Sequence, residues 1–221
     1  MTIDYFGHPF SSYTWKGEIA LIEKGVDYRF RPIDGEGHPE NVAALKAIWP
    51  LGKFPVLKHG PVELFESSII VEYVDSLTDH GPRLIPAVPT AALEVRLLDR
   101  VFDNHVMGPA QAVVAEHLPF LTETPDAARI ARARESLEQV YAWLDQRIGE
   151  QEWATPHGFS LADCAAAPAL FYADWVHQIA PTHTHLRAYR ARLLARPSVA
   201  QCVEAARPYR AYFPLGAPDR D

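Results

Sequence analysis

The sequence predicts an α/β N-terminal domain followed by an all-α C-terminal domain. Residues 1–79 alternate strand-like and helix-like patterns. Residues 80–89 carry Gly81, Pro82, Pro86 and Pro89, the punctuation of a linker. Residues 90–221 have almost entirely helical apolar spacing.

Residues 2–6 read as a short strand, broken by Gly7-His8-Pro9. Ser11 or Ser12 can start a helix that runs to about Lys24, with Trp15, Ile19, Leu21 and Ile22 at apolar positions and Gly25 as its stop. Val26 to Ile33 alternates as a strand does, and strand, helix and strand of this size form a βαβ unit with parallel pairing. A polar loop over 34–38 leads to a helix from Pro39 to about Ile48, with proline in the first turn. The two prolines and glycine of Trp49-Pro50-Leu51-Gly52-Lys53-Phe54-Pro55 stop that helix. Val56-Leu57-Lys58 and Val62-Glu63-Leu64-Phe65 flank His59-Gly60-Pro61 as a hairpin, and Ser67 or Ser68 opens a helix to about Leu77. The order β-α-β-α-β-β-α is the thioredoxin-like one.

Beyond the linker, residues 90–117 read as one long helical segment bent near Gly108-Pro109. Ile130, Leu137, Val140 and Leu144 space a second helix over 126–148. Ser160-Leu161-Ala162-Asp163 opens another in the manner of a capping box, with Asp in place of the usual Glu. Two further helices are predicted near 183–195 and 198–206, and residues 208–221 form an irregular tail.

The chain has 221 residues, 48% hydrophobic and 22% charged, enough to bury a core without disulfide or metal staples. A net charge of −7 and the lack of any Lys/Arg stripe argue against a nucleic-acid partner, while a small anionic ligand remains compatible with a local positive field. The two cysteines, Cys164 and Cys202, form no CxxC and no disulfide framework. Asp4 falls too early for a signal peptide, and no apolar run reaches membrane-spanning length. The expected location is the cytoplasm.

Three stretches then stand out in order. Ser11-Ser12-Tyr13-Thr14-Trp15-Lys16-Gly17-Glu18-Ile19-Ala20-Leu21 is similar, without gaps, to the zeta-class signature Ser-Ser-Cys-x-Trp-Arg-Val-Arg-Ile-Ala-Leu. Lys53-Phe54-Pro55-Val56-Leu57 resembles a proline-bearing turn into the third strand. Glu66-Ser67-Ser68-Ile69-Ile70-Val71-Glu72-Tyr73 resembles a Glu-Ser-x-x-Ile-x-x-Tyr signature. Together with Ser160 and Asp163, they make the chain resemble the cytosolic glutathione transferases over most of its length. It departs from the zeta signature at Tyr13 and at Gly17-Glu18, so the pattern looks closer to a broad group of bacterial transferase-like proteins than to the isomerase of that class.

The resemblance implies a defined chemistry. Glutathione is an anionic tripeptide whose thiol must ionise to attack. A free thiol titrates near about 8.5, and lowering it by roughly two units takes about 2.7 kcal/mol of preferential thiolate stabilisation. A hydroxyl donor at a helix N-terminus supplies that order of magnitude. Ser11 stands where the family places this donor, although the same residue could merely cap the helix. Ser12 is the neighbouring rival. Tyr5 is a further rival, because other classes use a tyrosine at the strand end, but a buried strand tyrosine is its more ordinary role.

A cis Phe54–Pro55 bond is implied by the resemblance, since only about 5–6% of X-Pro bonds are cis. It would turn the backbone of Val56 toward the cysteinyl backbone of glutathione. Ser67 at a helix start suits the γ-glutamyl carboxylate, and Glu66 the ammonium. Lys53 can reach the glycyl carboxylate or simply face solvent. Asp103 and Asn104 either join an intrahelical network with Arg96 and Arg100 or reach glutathione, within the chain or across a dimer interface. Tyr13, His105, Met107, Phe120, Tyr172 and Trp175 are expected to line the pocket for a small hydrophobic electrophile.

Two function classes remain. One is a glutathione-dependent enzyme, a homodimer by resemblance, acting by conjugation, dehalogenation, ether cleavage or cis–trans isomerisation. The other is a non-catalytic glutathione-binding or regulatory protein on the same fold. A thiol–disulfide reductase is disfavoured, because the loop around 8–14 has no cysteine for a mixed disulfide. No metal is expected: the only HxH, His183-Thr184-His185, has no Cys, Asp or Glu nearby in sequence.

Overall fold

Parallel pairing of the first two strands fixes the N-terminal architecture. In the computed structural model, which describes residues 2–34 and 37–221, β1 (Ile3–Gly7) and β2 (Tyr28–Pro32) run parallel, with Ile3 opposite Tyr28 and Gly7 opposite Pro32. The crossover between them is α1 (Ser12–Glu23). After α2 (Pro39–Ile48), β3 (Val56–His59) pairs antiparallel with β1 and with β4 (Val62–Phe65), giving the order β2-β1-β3-β4. α3 (Ser67–Leu77) follows β4 directly. The sequence order is therefore reproduced as a four-stranded mixed sheet with helices, and the fold is thioredoxin-like in this part. Gly35 and Glu36, within the polar loop expected over 34–38, lie outside the described residues.

The remainder is helical: α4 (Pro89–Val101), a π-helical segment over Phe102–Met107, α5 (Gly108–Glu116), α6 (Ala127–Ile148), α7 (Leu161–Val176), α8 (Thr184–Ala195) and α9 (Pro197–Ala206). The expected bend in the long 90–117 segment takes the form of this widened π turn, in which Gly108 N–H reaches back to the Asp103 carbonyl. The cause lies in Pro109, which has no N–H to give and whose ring would collide with the carbonyl four residues earlier in an α register. The tail expected to be irregular opens with a 3₁₀ turn over Arg207–Tyr212.

α7 is buried along its whole length. Its start is held by Asp163, whose carboxylate accepts Ala154 N–H at 2.9 Å, Ser160 N–H at 2.9 Å, Ser160 Oγ–H at 3.1 Å and Tyr189 Oη–H at 2.7 Å. Against α7 packs α1: the Trp15 ring lies 4.9 Å from Phe171 and 5.4 Å from Tyr172, centroid to centroid. At the other end of α1, Glu23 takes a bidentate pair from Arg196, both contacts at 2.7 Å. The first helix is thus clamped by helical-region residues at both ends, which fixes where its N-terminus points.

Candidate active site

The loop from β1 into α1 is held by its own backbone. Ser11 N–H donates to the His8 carbonyl at 2.9 Å, and Phe10 N–H donates to His8 Nδ1 at 3.1 Å. Tyr172 Oη–H donates to the Phe10 carbonyl at 2.9 Å, and the Trp15 indole N–H to Pro9 at 2.6 Å. Ser11 sits in the extended conformation of an N-cap (φ −97°, ψ 125°), with Oγ accepting Thr14 N–H at 3.3 Å. Capping occupies an acceptor lone pair and leaves the hydroxyl proton available to another acceptor. The positive end of the α1 dipole lies at the same place.

Two clefts meet at this helix N-terminus. One, of about 240 Å³, is apolar: Ser11 and Ser12 face Met107, Ala110, Val114 and Tyr172, with Tyr212, Phe213 and Pro214 of the tail completing the wall. The other, of about 260 Å³, is polar and lined by Tyr13, Lys53, Glu66, Ser67, Arg100 and Asp103, with Trp49, Phe54, Pro55, Phe65, Ser68 and Asn104 around them. Residues 11–13 thus line both.

Local geometry in the polar cleft is unusual at two points. The Phe54–Pro55 bond is cis. Glu66, between β4 and α3, has φ 69°, a conformation that costs a non-glycine residue about 1–3 kcal/mol and concentrates at ligand sites. This bend presents Ser67 as the first residue of α3, where backbone N–H groups and the helix dipole favour an anionic group. Lys53 and Arg100 supply positive charge to the cleft, Glu66 and Asp103 negative charge. Burial pushes the Asp103 carboxyl above its ordinary value, opposed first by the nearby Lys16. Burial also pushes the Tyr13 hydroxyl up to about 12, so it stays protonated as a donor.

Several expected residues fall elsewhere. Val56 is paired with Phe6 on one side and Phe65 on the other, and its side chain is fully buried in the sheet. Phe54 and Pro55, ahead of the first paired residue of β3, line the polar cleft, and Val56 is not among its lining residues. Tyr13 faces the polar cleft and not the apolar one, because residues 11, 12 and 13 turn round the helix start. His105 is exposed and lines neither cleft, and Phe120 is 79% exposed on the loop after α5. Trp175 stands behind the apolar cleft, packed on Tyr172 and Phe213. Tyr5 is wholly buried and lines neither cleft; its hydroxyl donates to the Thr14 carbonyl at 2.7 Å, and burial pushes its pKa well up. Met107, Tyr172, Asp103 and Asn104 do line clefts.

The residues not anticipated are the tail wall, the Trp49–Phe65 stack (centroids 3.9 Å apart) and Lys16. Lys16 carried one signal in sequence, a lysine on the apolar side of α1. The tail carried none beyond its aromatic content. Among the described residues, no group of three or more His, Cys, Asp or Glu side chains is placed to hold a metal ion. His183 and His177 instead share Glu138, at 2.8 and 3.0 Å.

A thioredoxin-like sheet followed by a helical region, with the first helix opening between a cleft with charges of both signs and an apolar one, places the chain among two-part proteins of thioredoxin-like and helical architecture. Comparison with known proteins narrows that class. Residues 1–76 match the family described as Glutathione S-transferase, N-terminal domain, and residues 127–192 its C-terminal domain. Glutathione S-transferase 3 of Zea mays is 30% identical over 207 residues, covering 90% of this chain and 92% of that protein. A stringent starvation protein A homolog of Coxiella burnetii is 30% identical over 166 residues, 75% of this chain and 73% of that one. The structure of a glutathione S-transferase from Methylobacillus flagellatus KT with GSH bound superposes with a TM-score of 0.79 at 28% identity, over 91% of this chain and 98% of that one. The chain belongs to the glutathione S-transferase family and is an enzyme of that class.

Proposed function

We propose that the protein binds glutathione in the polar cleft and activates its thiol with the Ser11 hydroxyl for attack on a neutral, apolar electrophile in the adjoining cleft. The observation that carries this is the junction at the α1 N-terminus, where Ser11 and Ser12 line the apolar cleft and Tyr13 the polar one. Residues 1–79 would then supply the peptide site and residues 90–221 the electrophile wall, joined by 80–89. Within the polar cleft, the α3 N-terminus at Ser67 takes the γ-glutamyl carboxylate, Phe54 and Pro55 flank the cysteinyl segment, and Lys53 takes the glycyl carboxylate. Ser12 is 7% exposed and remains the rival hydroxyl.

Among the described residues, the wall of the apolar cleft has no cationic side chain. That favours an uncharged co-substrate over the anionic one a zeta-like isomerase would need to anchor. A homodimer fits the exposed apolar residues of neighbouring helices: Leu93 and Leu97 are 67% and 59% exposed on α4, and Ile69 50% on α3.

Conjugation kinetics of the wild type beside Ser11→Ala and Ser12→Ala test the assignment. Loss of a hydrogen bond to an ionised group costs about 1.5–3 kcal/mol, so Ser11→Ala is expected to lower kcat/KM by about 10- to 100-fold near pH 6.5, with Ser12→Ala close to wild type. Equal rates for wild type and Ser11→Ala would remove Ser11 from the mechanism. Glutathione binding without turnover of any apolar electrophile would favour the non-catalytic reading.

A further inference from the structure

His8 is half-buried in the loop between β1 and α1 and lines neither cleft. Its main chain is tied to α1 on both sides. The His8 N–H donates to Thr14 Oγ1 at 3.2 Å, and the His8 carbonyl accepts Ser11 N–H at 2.9 Å. From this anchored backbone the ring turns back along the loop, and Nδ1 accepts Phe10 N–H at 3.1 Å. A backbone N–H can only donate, so Nδ1 is unprotonated and the ring proton of the neutral form sits on Nε2.

The ring plane is set from outside the loop. Tyr209, in the 3₁₀ turn over Arg207–Tyr212, meets it edge-on, with centroids 4.6 Å apart and planes at 68°. That turn ends at Tyr212, in the wall of the apolar cleft. His8 therefore stands between the tail and the residues that present Ser11. The other side chains that hold this loop act on its carbonyls: Trp15 on Pro9 and Tyr172 on Phe10. Pro9 has no N–H, so Phe10 N–H is the first donor after His8, and the His8 ring is its acceptor.

Burial holds the His8 pKa below its ordinary value, opposed by the Asp34 carboxylate. Asp34 and Tyr209 are the titratable groups near the ring. The imidazole is thus neutral at neutral pH, as an acceptor must be.

We propose that His8 is a positioning residue for thiol activation: its ring, accepting Phe10 N–H and steadied by Tyr209, fixes the turn that leads into Ser11 and so the direction of the Ser11 hydroxyl. The inference rests on Ser11 being the thiol-activating residue. His8 itself touches neither glutathione nor the electrophile.

The test compares the wild type with His8→Leu, which removes the acceptor, and His8→Asn, whose side-chain oxygen can accept from the N–H two residues on as in an Asx turn. His8→Leu is expected to raise the thiolate midpoint of bound glutathione by about half a unit to one unit and to lower kcat/KM at pH 6.5 by about 3- to 10-fold, the scale of one hydrogen bond. Its KM for glutathione is expected to stay within about twofold of wild type, because the polar cleft is untouched. His8→Asn is expected to restore the wild-type midpoint. A His8→Leu protein with the wild-type midpoint overturns the inference, and so does a His8→Asn protein as impaired as His8→Leu. Should His8→Leu not fold, Tyr209→Ala decides in its place: a raised midpoint supports the inference, and an unchanged one overturns it. Two-bond ¹H–¹⁵N correlation spectra of the ligand-free wild type at pH 7 give an independent reading. A His8 ring protonated on Nε2 alone is expected, and a ring protonated on Nδ1 overturns the inference. A wild-type midpoint near about 8.5, that of the free thiol, would instead remove the proposed function, and this inference with it.

Discussion

The Tyr5 hydroxyl occupies the space where Gly17 would otherwise carry a side chain: an ideal Cβ on Gly17 would lie 2.4 Å from Tyr5 Oη and 3.1 Å from its Cζ. The same hydroxyl donates to the Thr14 carbonyl at 2.7 Å. Strand β1 and helix α1 therefore approach as closely as they do because residue 17 has no Cβ. Gly17→Ala is expected to destabilise the protein by about 1–3 kcal/mol, the usual cost of overpacking a filled core. Adding Tyr5→Phe to Gly17→Ala should recover part of that loss, since it removes the nearest atom. Urea midpoints of the three proteins check both statements.

Asp163 predicts a larger effect. Its carboxylate collects four hydrogen bonds at the entry to α7, all buried. Asp163→Ala strands several buried neutral donors at once, each costing about 1–3 kcal/mol when left without a partner. Asp163→Asn, which keeps one acceptor oxygen, should lose less. Thermal unfolding followed by circular dichroism separates the two.

Lys53 has no acidic partner among the described residues and lines the polar cleft. Lys53→Met is expected to weaken glutathione binding by about threefold to tenfold, consistent with a mostly exposed ion pair, without changing stability. Titration calorimetry at two ionic strengths is the check, and the gap between wild type and variant should narrow at the higher one.

Glu138 gives a pH-dependent outcome. Hydrogen bonds from His183 and then His177 hold its carboxyl below its ordinary value. An acid whose folded value is depressed adds stability above its unfolded value of about 4.3 and loses it as pH falls through the folded value. Because this side chain is 48% exposed, the contribution is discounted to about 0.5 kcal/mol. The stability difference between wild type and Glu138→Gln should close as pH falls below the unfolded value of about 4.3, measured by urea unfolding across that range.

Legibility in the sequence followed the physics of range. The order of strands and helices was readable because Gly25, Pro39 and the Pro50–Pro55 stretch punctuate it locally, and the Asp163 cap because its partner Ser160 is three residues away. The polar cleft was readable in part, since Lys53, Phe54, Pro55, Glu66 and Ser67 each lie in a short motif. That Val56 would be paired on both sides with its side chain buried was not legible, because strand pairing is a tertiary fact. Tyr13 was placed in the wrong cleft because one residue of helix rotation separates the two. The tail wall of Tyr212, Phe213 and Pro214 was invisible, as its role depends on contact with helices some hundred residues earlier in the chain. Lys16 escaped notice because a lysine among apolar residues gives no sign of which carboxylates will face it.

The central claim, that the serine-capped start of α1 lowers the thiol of a tripeptide held beside it, is tested most directly by ultraviolet titration of the glutathione thiolate bound to the wild-type protein. Saturated protein is expected to show thiolate absorbance with a midpoint near about pH 6.5, roughly two units below the free thiol, and Ser11→Ala a midpoint about one to two units higher than wild type. A midpoint that stays near about 8.5 in saturated wild-type protein would contradict the account.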